Sequence, residues 1–240
     1  MANNTANRLT IQIDLSGFSF KITTPSGEKV KSGERSFPSG IEEESQIGAY
    51  LEKELKNNST LAKQYASVSV ISSIFKYTLV PSEYYDPEKM GEILFDEHCN
   101  SDVQEYDIMD KALTISPGYT IFAVHKGIVS AIKNIQPDAE FTPVVYQMIE
   151  KIPTFKENNK ILLHFGKEKT DIVAAERGNL LLVNSFPAPD PITTLYYLFM
   201  VIKEVMFNPE FTTLQIFGDI SKGLKKEVSR YFKNINIHSL

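Results

Sequence analysis

Cysteine is almost absent from the 240 residues: Cys99 stands alone, so an internal disulfide and a thiolate metal cluster are both excluded. Long hydrophobic runs are missing too. The longest, through Tyr196–Ile202, falls far short of the roughly 20 residues that span a bilayer. Positive charge is scarce, with 25 Lys and Arg against 30 Asp and Glu, and the net charge of −5 argues against nucleic acid or anionic membrane as the main partner. No Gly-x-Ser-x-Gly, Walker loop or Gly-x-Gly-x-x-Gly occurs. The four histidines, His98, His125, His164 and His238, show no metal-ligand spacing. His98 directly precedes Cys99, and helix neighbours diverge by about 100°, so the two do not form a catalytic pair. The first ten residues are polar and carry no apolar signal segment, which places the chain in the cytoplasm as an expectation. What remains is 42% hydrophobic and 23% charged, the mix of a globular chain with one large domain or two small ones.

The chain contains a hidden repeat. Leu9, Ile11 and Ile13 alternate with polar neighbours, the period-two signal of a half-buried strand. A turn at Leu15-Ser16-Gly17 leads to Phe18, Phe20 and Ile22, and a second turn at Ser26-Gly27-Glu28 leads to a third strand ending in Ser36-Phe37-Pro38. A helix over Ile41–Asn57 follows, with Ile47, Leu51 and Leu55 at helical spacing and Ser39 or Gly40 as its N-cap. Glu42, Glu43 and Glu44 sit where the helix dipole favours negative charge, and read as solvated residues of that first turn. The second half repeats the order: strands at Ile161–Phe165, Thr170–Ala175 and Leu180–Ser185, closing in Ser185-Phe186-Pro187. Asp190 then caps a helix with Pro191 in its first turn that runs to about Phe207. Each helix leads to a further strand, Ser67–Ser72 in one half and Thr212–Phe217 in the other.

Strand-strand-strand-helix-strand, twice over, resembles the ribonuclease H-like fold that is doubled in actin, Hsp70 and sugar kinases. The middle of the chain narrows the resemblance. Thr78-Leu79-Val80-Pro81, a helix from about Asp86 to Cys99, strand-like pieces at 104–109 and 112–116, and Tyr119–Val124 come in turn. A helix over Lys126–Ile135 and a linker strand over Pro137–Val145 complete the series. This order is similar to that of the type IV pilus assembly protein PilM and its cell-division relative FtsA. The chain is identified as a member of a family of small actin-like proteins of Bacteroidetes-type bacteria. The resemblance implies an α/β protein with a duplicated ribonuclease H-like (actin-like ATPase) fold and a small α+β insertion in the first half. On this reading 1–73 and 118–152 form the first half and 74–117 the inserted subdomain. Residues 153–240 form a second half lacking the adenine-side subdomain.

The resemblance also locates where nucleotide would bind. Such proteins hold phosphates on two hairpin turns whose small residues let backbone N–H groups approach, with acidic residues for magnesium. The first turn here is Asp14-Leu15-Ser16-Gly17, which keeps Asp14 but exchanges the Gly and Ser. The second is His164-Phe165-Gly166-Lys167-Glu168-Lys169-Thr170, which keeps Gly166 and Thr170 but has His164 in place of an acid. An imidazole does not do the electrostatic work of a carboxylate beside magnesium. The adenosine motif reduces to Gly218-Asp219-Ile220-Ser221, keeping Gly218 and Ser221. Asp14, Ser16, Gly17, Gly166, Thr170, Gly218 and Ser221 are therefore the degenerate nucleotide-site residues. The competing reading is an ordinary Ser-Gly turn, a solvated Lys-Glu-Lys turn, and Asp219 or Ser221 as an N-cap.

These departures lead to a pseudo-ATPase with no catalytic residue and no cofactor, ATP with magnesium being disfavoured. The function expected is an inert scaffold or adaptor that binds other proteins; the alternative is a degenerate ATP-binding protein with slow or no hydrolysis. A sugar or acyl phosphotransferase would need a base facing the cleft, and no residue offers one. In the resembling family the small subdomains carry protein partners. Tyr84-Tyr85, in a loop stiffened by Pro81 and Pro87, is the candidate partner surface, whereas Tyr196-Tyr197 reads as core. No nucleic acid or membrane insertion is expected, and a homodimer is compatible with the sequence.

Overall fold

The alternating Leu9, Ile11 and Ile13 form strand β1 (Arg8–Asp14) in the computed structural model. It describes residues 6–38, 41, 43–95, 103–166, 169–218, 220 and 222–238. The chain divides into two compact units: 1–112 with 118–143, and 113–117 with 144–240.

In the first unit β1 pairs antiparallel with β2 (Gly17–Thr23), which pairs with β3 (Lys29–Ser36). β4 (Ser67–Ser72) and β8 (Glu140–Pro143) add parallel strands on the other side, giving the order β3-β2-β1-β4-β8. One face of the sheet buries Leu9, Ile11, Ile13, Val68, Val70 and Phe141. Helix α1 (Glu44–Asn57) lays Ile47, Leu51 and Leu55 in the same core, each such residue contributing about 1.5–3 kcal/mol by leaving water. α1 begins at Glu44, later than the sequence suggests, and Glu43 at its N-cap makes no side-chain capping bond. The expected caps Ser39 and Gly40, with Glu42, lie outside the described residues.

Between β4 and β8 the chain builds a three-stranded antiparallel sheet, β5-β7-β6, from β5 (Lys76–Pro81), β6 (Tyr106–Ala112) and β7 (Gly118–His125). The helix expected over Asp86–Cys99 is described only as α2 (Met90–Leu94). Asp86 turns the chain first, its Oδ1 accepting from the Glu88 amide at 3.0 Å; His98 and Cys99 lie outside the described residues. Of the two strand-like pieces expected at 104–109 and 112–116, the first lies largely within β6, whereas residues 113–117 form no strand and lead through Pro117 into β7. Helix α3 (Lys126–Lys133) starts at a His125 N-cap, whose Nδ1 accepts from the Gly127 amide.

The second unit repeats the plan. Strands β9 (Asn159–Phe165), β10 (Lys169–Glu176) and β11 (Asn179–Pro187) form an antiparallel meander. Parallel β12 (Thr213–Phe217) and β13 (Asn234–His238) complete the order β11-β10-β9-β12-β13. Helix α5 (Pro191–Glu204) is capped by Asp190, which accepts from the amides of Ile192 and Thr193. It ends earlier than expected because Met206 takes a left-handed φ of 54°. α5 and α6 (Lys222–Val228) cover the face carrying Ile161, Leu163, Ile172, Ala174, Leu214 and Ile216. Where the sequence suggests a linker strand reaching Val145, the strand stops at Pro143 and helix α4 (Val144–Lys151) begins. Val144, Val145, Met148 and Ile149 are its buried face, and α4 packs on β10, so the unit boundary falls at Pro143 rather than after residue 152.

One glycine sets the helix packing of the first unit. A Cβ on Gly48 of α1 would stand 2.6 Å from the Gly127 carbonyl carbon of α3, a backbone atom that cannot swing aside. Gly48→Ala is expected to cost about 1–3 kcal/mol by overpacking, measured by urea unfolding. Unchanged stability would mean that α1 and α3 separate freely.

Candidate functional site

The first hairpin turn uses its own acid. Asp14 pairs across the hairpin with Gly17. Its Oδ1 accepts from the amides of Ser16 at 2.5 Å and Gly17 at 3.1 Å, and the Ser16 hydroxyl donates to the same oxygen. This is a side-chain turn that closes the loop on itself. The exchanged order Ser16-Gly17 has a steric reason: a Cβ on Gly17 would lie 2.1 Å from the Arg35 carbonyl oxygen on β3.

The second hairpin is organised by an acid that the motif comparison overlooks. Asp171 of β10 is fully buried and sits directly opposite both His164 of β9 and Ser185 of β11. Its Oδ2 accepts from His164 Nδ1 at 3.0 Å, its Oδ1 accepts from the Ser185 hydroxyl, and Lys169 Nζ approaches Oδ1 to 3.9 Å. A carboxylate only accepts, so Nδ1 carries the imidazole proton. Asp171 stands between the histidine and the serine, whereas a nucleophilic triad needs the histidine in the middle. The Thr170 hydroxyl donates to the His164 carbonyl at 3.0 Å, and the Gly166 amide donates to the Lys169 carbonyl at 2.8 Å. Gly218 lies beside the ring. Its φ of 88° favours glycine, and a Cβ there would be 3.9 Å from His164 Nε2.

The fold thus gathers Gly166, Thr170 and Gly218 around His164. Asp14, Ser16 and Gly17 belong to the other unit, and Ser221, with Asp219, Lys167 and Glu168, lies outside the described residues. Hydrated magnesium is held by carboxylate oxygens. Among the described residues of this hairpin, His164 is 3% exposed and both oxygens of Asp171 are taken by donors, so these described donors do not fit that ion. Among the described residues no group of three His, Cys, Asp or Glu could hold a metal ion.

The sequence does hold a signal for Asp171: it opens an otherwise apolar run, Ile172-Val173-Ala174-Ala175. Its pairing with His164 and Ser185 depends on register, which motif matching does not supply. Lys160, on the same face of β9, is also fully buried and donates to the Arg177 carbonyl. Burial pushes its ammonium below the usual lysine range, against the pull of Glu157. Gln215 links Glu157 to His238, whose ring lies against Phe155 and Phe217. Burial, with Lys151 adding to it, holds the His238 imidazole below its ordinary value.

The tyrosine pairs divide differently from expectation. Tyr84 is 69% exposed, but Tyr85 stacks on Tyr119 with ring centres 3.8 Å apart. Burial and then Asp110 push the Tyr85 phenol up. On α5, Tyr197 stacks on Phe186, while Tyr196 is 60% exposed and so is not core. Each pair thus splits into one exposed and one stacked ring: Tyr85 is half-buried where surface was expected, and Tyr196 is exposed where core was expected.

The buried carboxylate makes a measurable demand. Asp171→Ala is expected to cost about 3–5 kcal/mol, the usual penalty for breaking a buried pair, by urea unfolding at neutral pH. Near-neutral stability would show that the cluster is not holding the strands together.

In fold the chain is similar to a protein of actin-like ATPase fold and unknown function from Bacteroides thetaiotaomicron VPI-5482. The TM-score is 0.82 at 24% identity, covering 98% of this chain and 91% of that one. It is also similar to the PilM–PilN type IV pilus biogenesis complex, with a TM-score of 0.59 at 14% identity over 99% of this chain and 89% of the other. Ethanolamine utilization protein EutJ from Carboxydothermus hydrogenoformans gives 0.52 at 9% identity, over 96% and 84%. The fold read from the duplicated element order is therefore the fold of the chain. No curated protein matches it. The family described as "Protein of unknown function (DUF3822)" matches residues 1–235, and the chain belongs to that family.

Proposed function

We propose that this protein is a catalytically inert, cytoplasmic variant of the actin-like ATPase fold that works as a scaffold or adaptor for other proteins. The observation that carries this reading is the inward-turned chain His164–Asp171–Ser185, which commits to strand packing the groups a magnesium site would present outward. Two further features support it. Asp14 is bonded to its own turn. Only residues 205–212 separate α5 from β12, too few for the subdomain that walls the adenine pocket in the resembling enzymes. The second reading, a degenerate ATP-binding protein with slow or no hydrolysis, rests on the retained Asp14, Gly166, Thr170 and Gly218.

The partner surface on this reading is the loop 81–87 around Tyr84. The solved structure of PilM is a complex with PilN, which supports a protein partner for the same architecture. The region is also strongly acidic: residues 76–112 hold ten Asp and Glu against three Lys, a larger acidic excess than the net −5 of the whole chain. Capture through it weakens as salt screens those charges. Among the described residues no helix is long and apolar enough to cross a membrane.

Titration calorimetry with ATP and magnesium is expected to show no saturable binding below millimolar concentration. A dissociation constant near micromolar, about −8 kcal/mol, would overturn the inert reading in favour of the second. At the loop, Tyr84→Ala is expected to leave stability within about 0.5 kcal/mol, as surface changes do, and to abolish capture of the partner recovered by pull-down from native cytosol. Tyr85→Ala is expected to cost about 0.5–1.5 kcal/mol or more through loss of its stacked ring. Retained capture by Tyr84→Ala sinks the surface assignment.

A further inference from the structure

Helix α5 is apolar on two sides. Thr194, Leu198, Val201 and Ile202 face the core, while Ile192, Tyr196 and Met200 are 79%, 60% and 47% exposed. Four-residue spacing stacks the exposed three into one ridge along the helix. No charged residue occurs between Asp190 and Lys203. Beside the ridge, Tyr231 is half exposed and meets Phe199 edge-on at 4.8 Å. The duplicated fold supplies its own comparison. α1 holds the same place in the first unit, and its exposed side carries Ser45, Gln46, Ala49, Lys53 and Lys56. The position does not require an apolar outer face. Helices that are apolar all round are normally covered.

We infer that the outer face of α5 is covered by a second copy of this chain, the two helices crossing antiparallel about a two-fold axis at Tyr196. The ridge is symmetric about that residue. The two-fold places Ile192 over Met200 of the second copy, Met200 over Ile192, and Tyr196 over Tyr196, as an isologous contact requires. Ridges at this spacing interdigitate in the commonest helix-packing class. Charge favours the same arrangement. A chain of net charge −5 repels its own copy, and the repulsion is least across an uncharged face. The antiparallel crossing turns the Asp190 end of each helix toward the Lys203 end of the other, with the helix dipoles opposed. Bonds from the Thr193 amide and hydroxyl hold the Asp190 carboxyl below its usual range, so that end stays negative.

Area sets the strength. The helix is about 21 Å long, and four exposed side chains of about 100 Å² each, with their flanks, give about 500 Å² per copy. The total of about 1,000 Å² is the threshold for a specific interface, which suits a dimer that forms in the micromolar range. A basic rim that would suit an anionic bilayer or acidic peptide is partly neutralised here, since Arg230 pairs with Glu227 and Lys233 with Glu210.

Sedimentation velocity of the full chain across micromolar concentrations tests this. The mass is expected to rise with concentration from 27.1 kDa toward twice that value. Tyr196→Glu and Tyr196→Lys, each at an exposed position and each checked for a wild-type urea midpoint, are expected to raise the dissociation constant more than about tenfold, or 1.4 kcal/mol. Mixing the two variants is expected to restore the dimer, because opposite charges then meet on the axis. A monomer at every concentration overturns the inference. So does a dimer indifferent to both variants, or folded variants whose mixture stays monomeric. Binding of a monomeric wild-type chain to phosphatidylglycerol vesicles, lost on Tyr196→Glu, would assign the face to membrane instead and equally overturns it.

Discussion

A carboxylate that is fully buried, as Asp171 is, has lost its hydration and costs several kcal/mol unless donors replace the water. In the second unit those donors come from three strands at once: His164 on β9, Ser185 on β11, and Lys169 at longer range on β10 itself. The demand fixes register. A one-residue slip of β10 would turn Asp171 onto the face that α5 and α6 cover, among Ile161, Leu163 and Leu214, where no donor waits. One buried charge thus specifies how the central meander is threaded, and the helices inherit their positions from it.

The duplication shows how environment decides the use of equivalent places. Asp14 ends β1 and is partly exposed, so its oxygen satisfies the nearest amides in its own turn. His164 lies toward the end of β9 and is buried, so it needs a fixed partner and finds one directly across the ladder. β3 carries Lys29, Lys31, Glu34 and Arg35 at the sheet edge, a common defence against stray pairing, whereas β11 in the matching place carries no charge. The second unit has given up surface charge twice, on β11 and on α5.

Most of the architecture was legible because it rests on local pattern. Alternation at Leu9, Ile11 and Ile13, the Ile47–Leu51–Leu55 spacing, and Asp190-Pro191 at a helix start each carry their own physical cause. Where the reading failed, tertiary context decided. Val144 and Val145 suit a strand, but with Met148 and Ile149 they complete a helix face once Pro143 stops β8. Tyr196 and Tyr197 are adjacent aromatics in an apolar helix, and periodicity cannot say that one stacks on Phe186 while the other faces outward. At the candidate site the retained glycines were visible. The acid that organises it was not, because Asp171 meets His164 only through the hairpin register.

The proposed loss of nucleotide has an energetic corollary. A protein that binds a ligand at a thousandfold excess over its dissociation constant gains about 4 kcal/mol of stability from it. A chain without that linkage must find a comparable amount in its own packing. The second unit is built as though it had. From Lys160 to His164, and from Thr170 to Ala175, every residue of β9 and β10 is buried, polar side chains included. Lys160 is satisfied by a backbone carbonyl, Thr170 by another, and Asp171 by His164 and Ser185. Satisfied buried networks of this kind rigidify a sheet and hold it in one arrangement. That is the property a scaffold needs, whereas an ATPase that opens and closes on its nucleotide keeps exposed, unpaired groups for the ligand to meet.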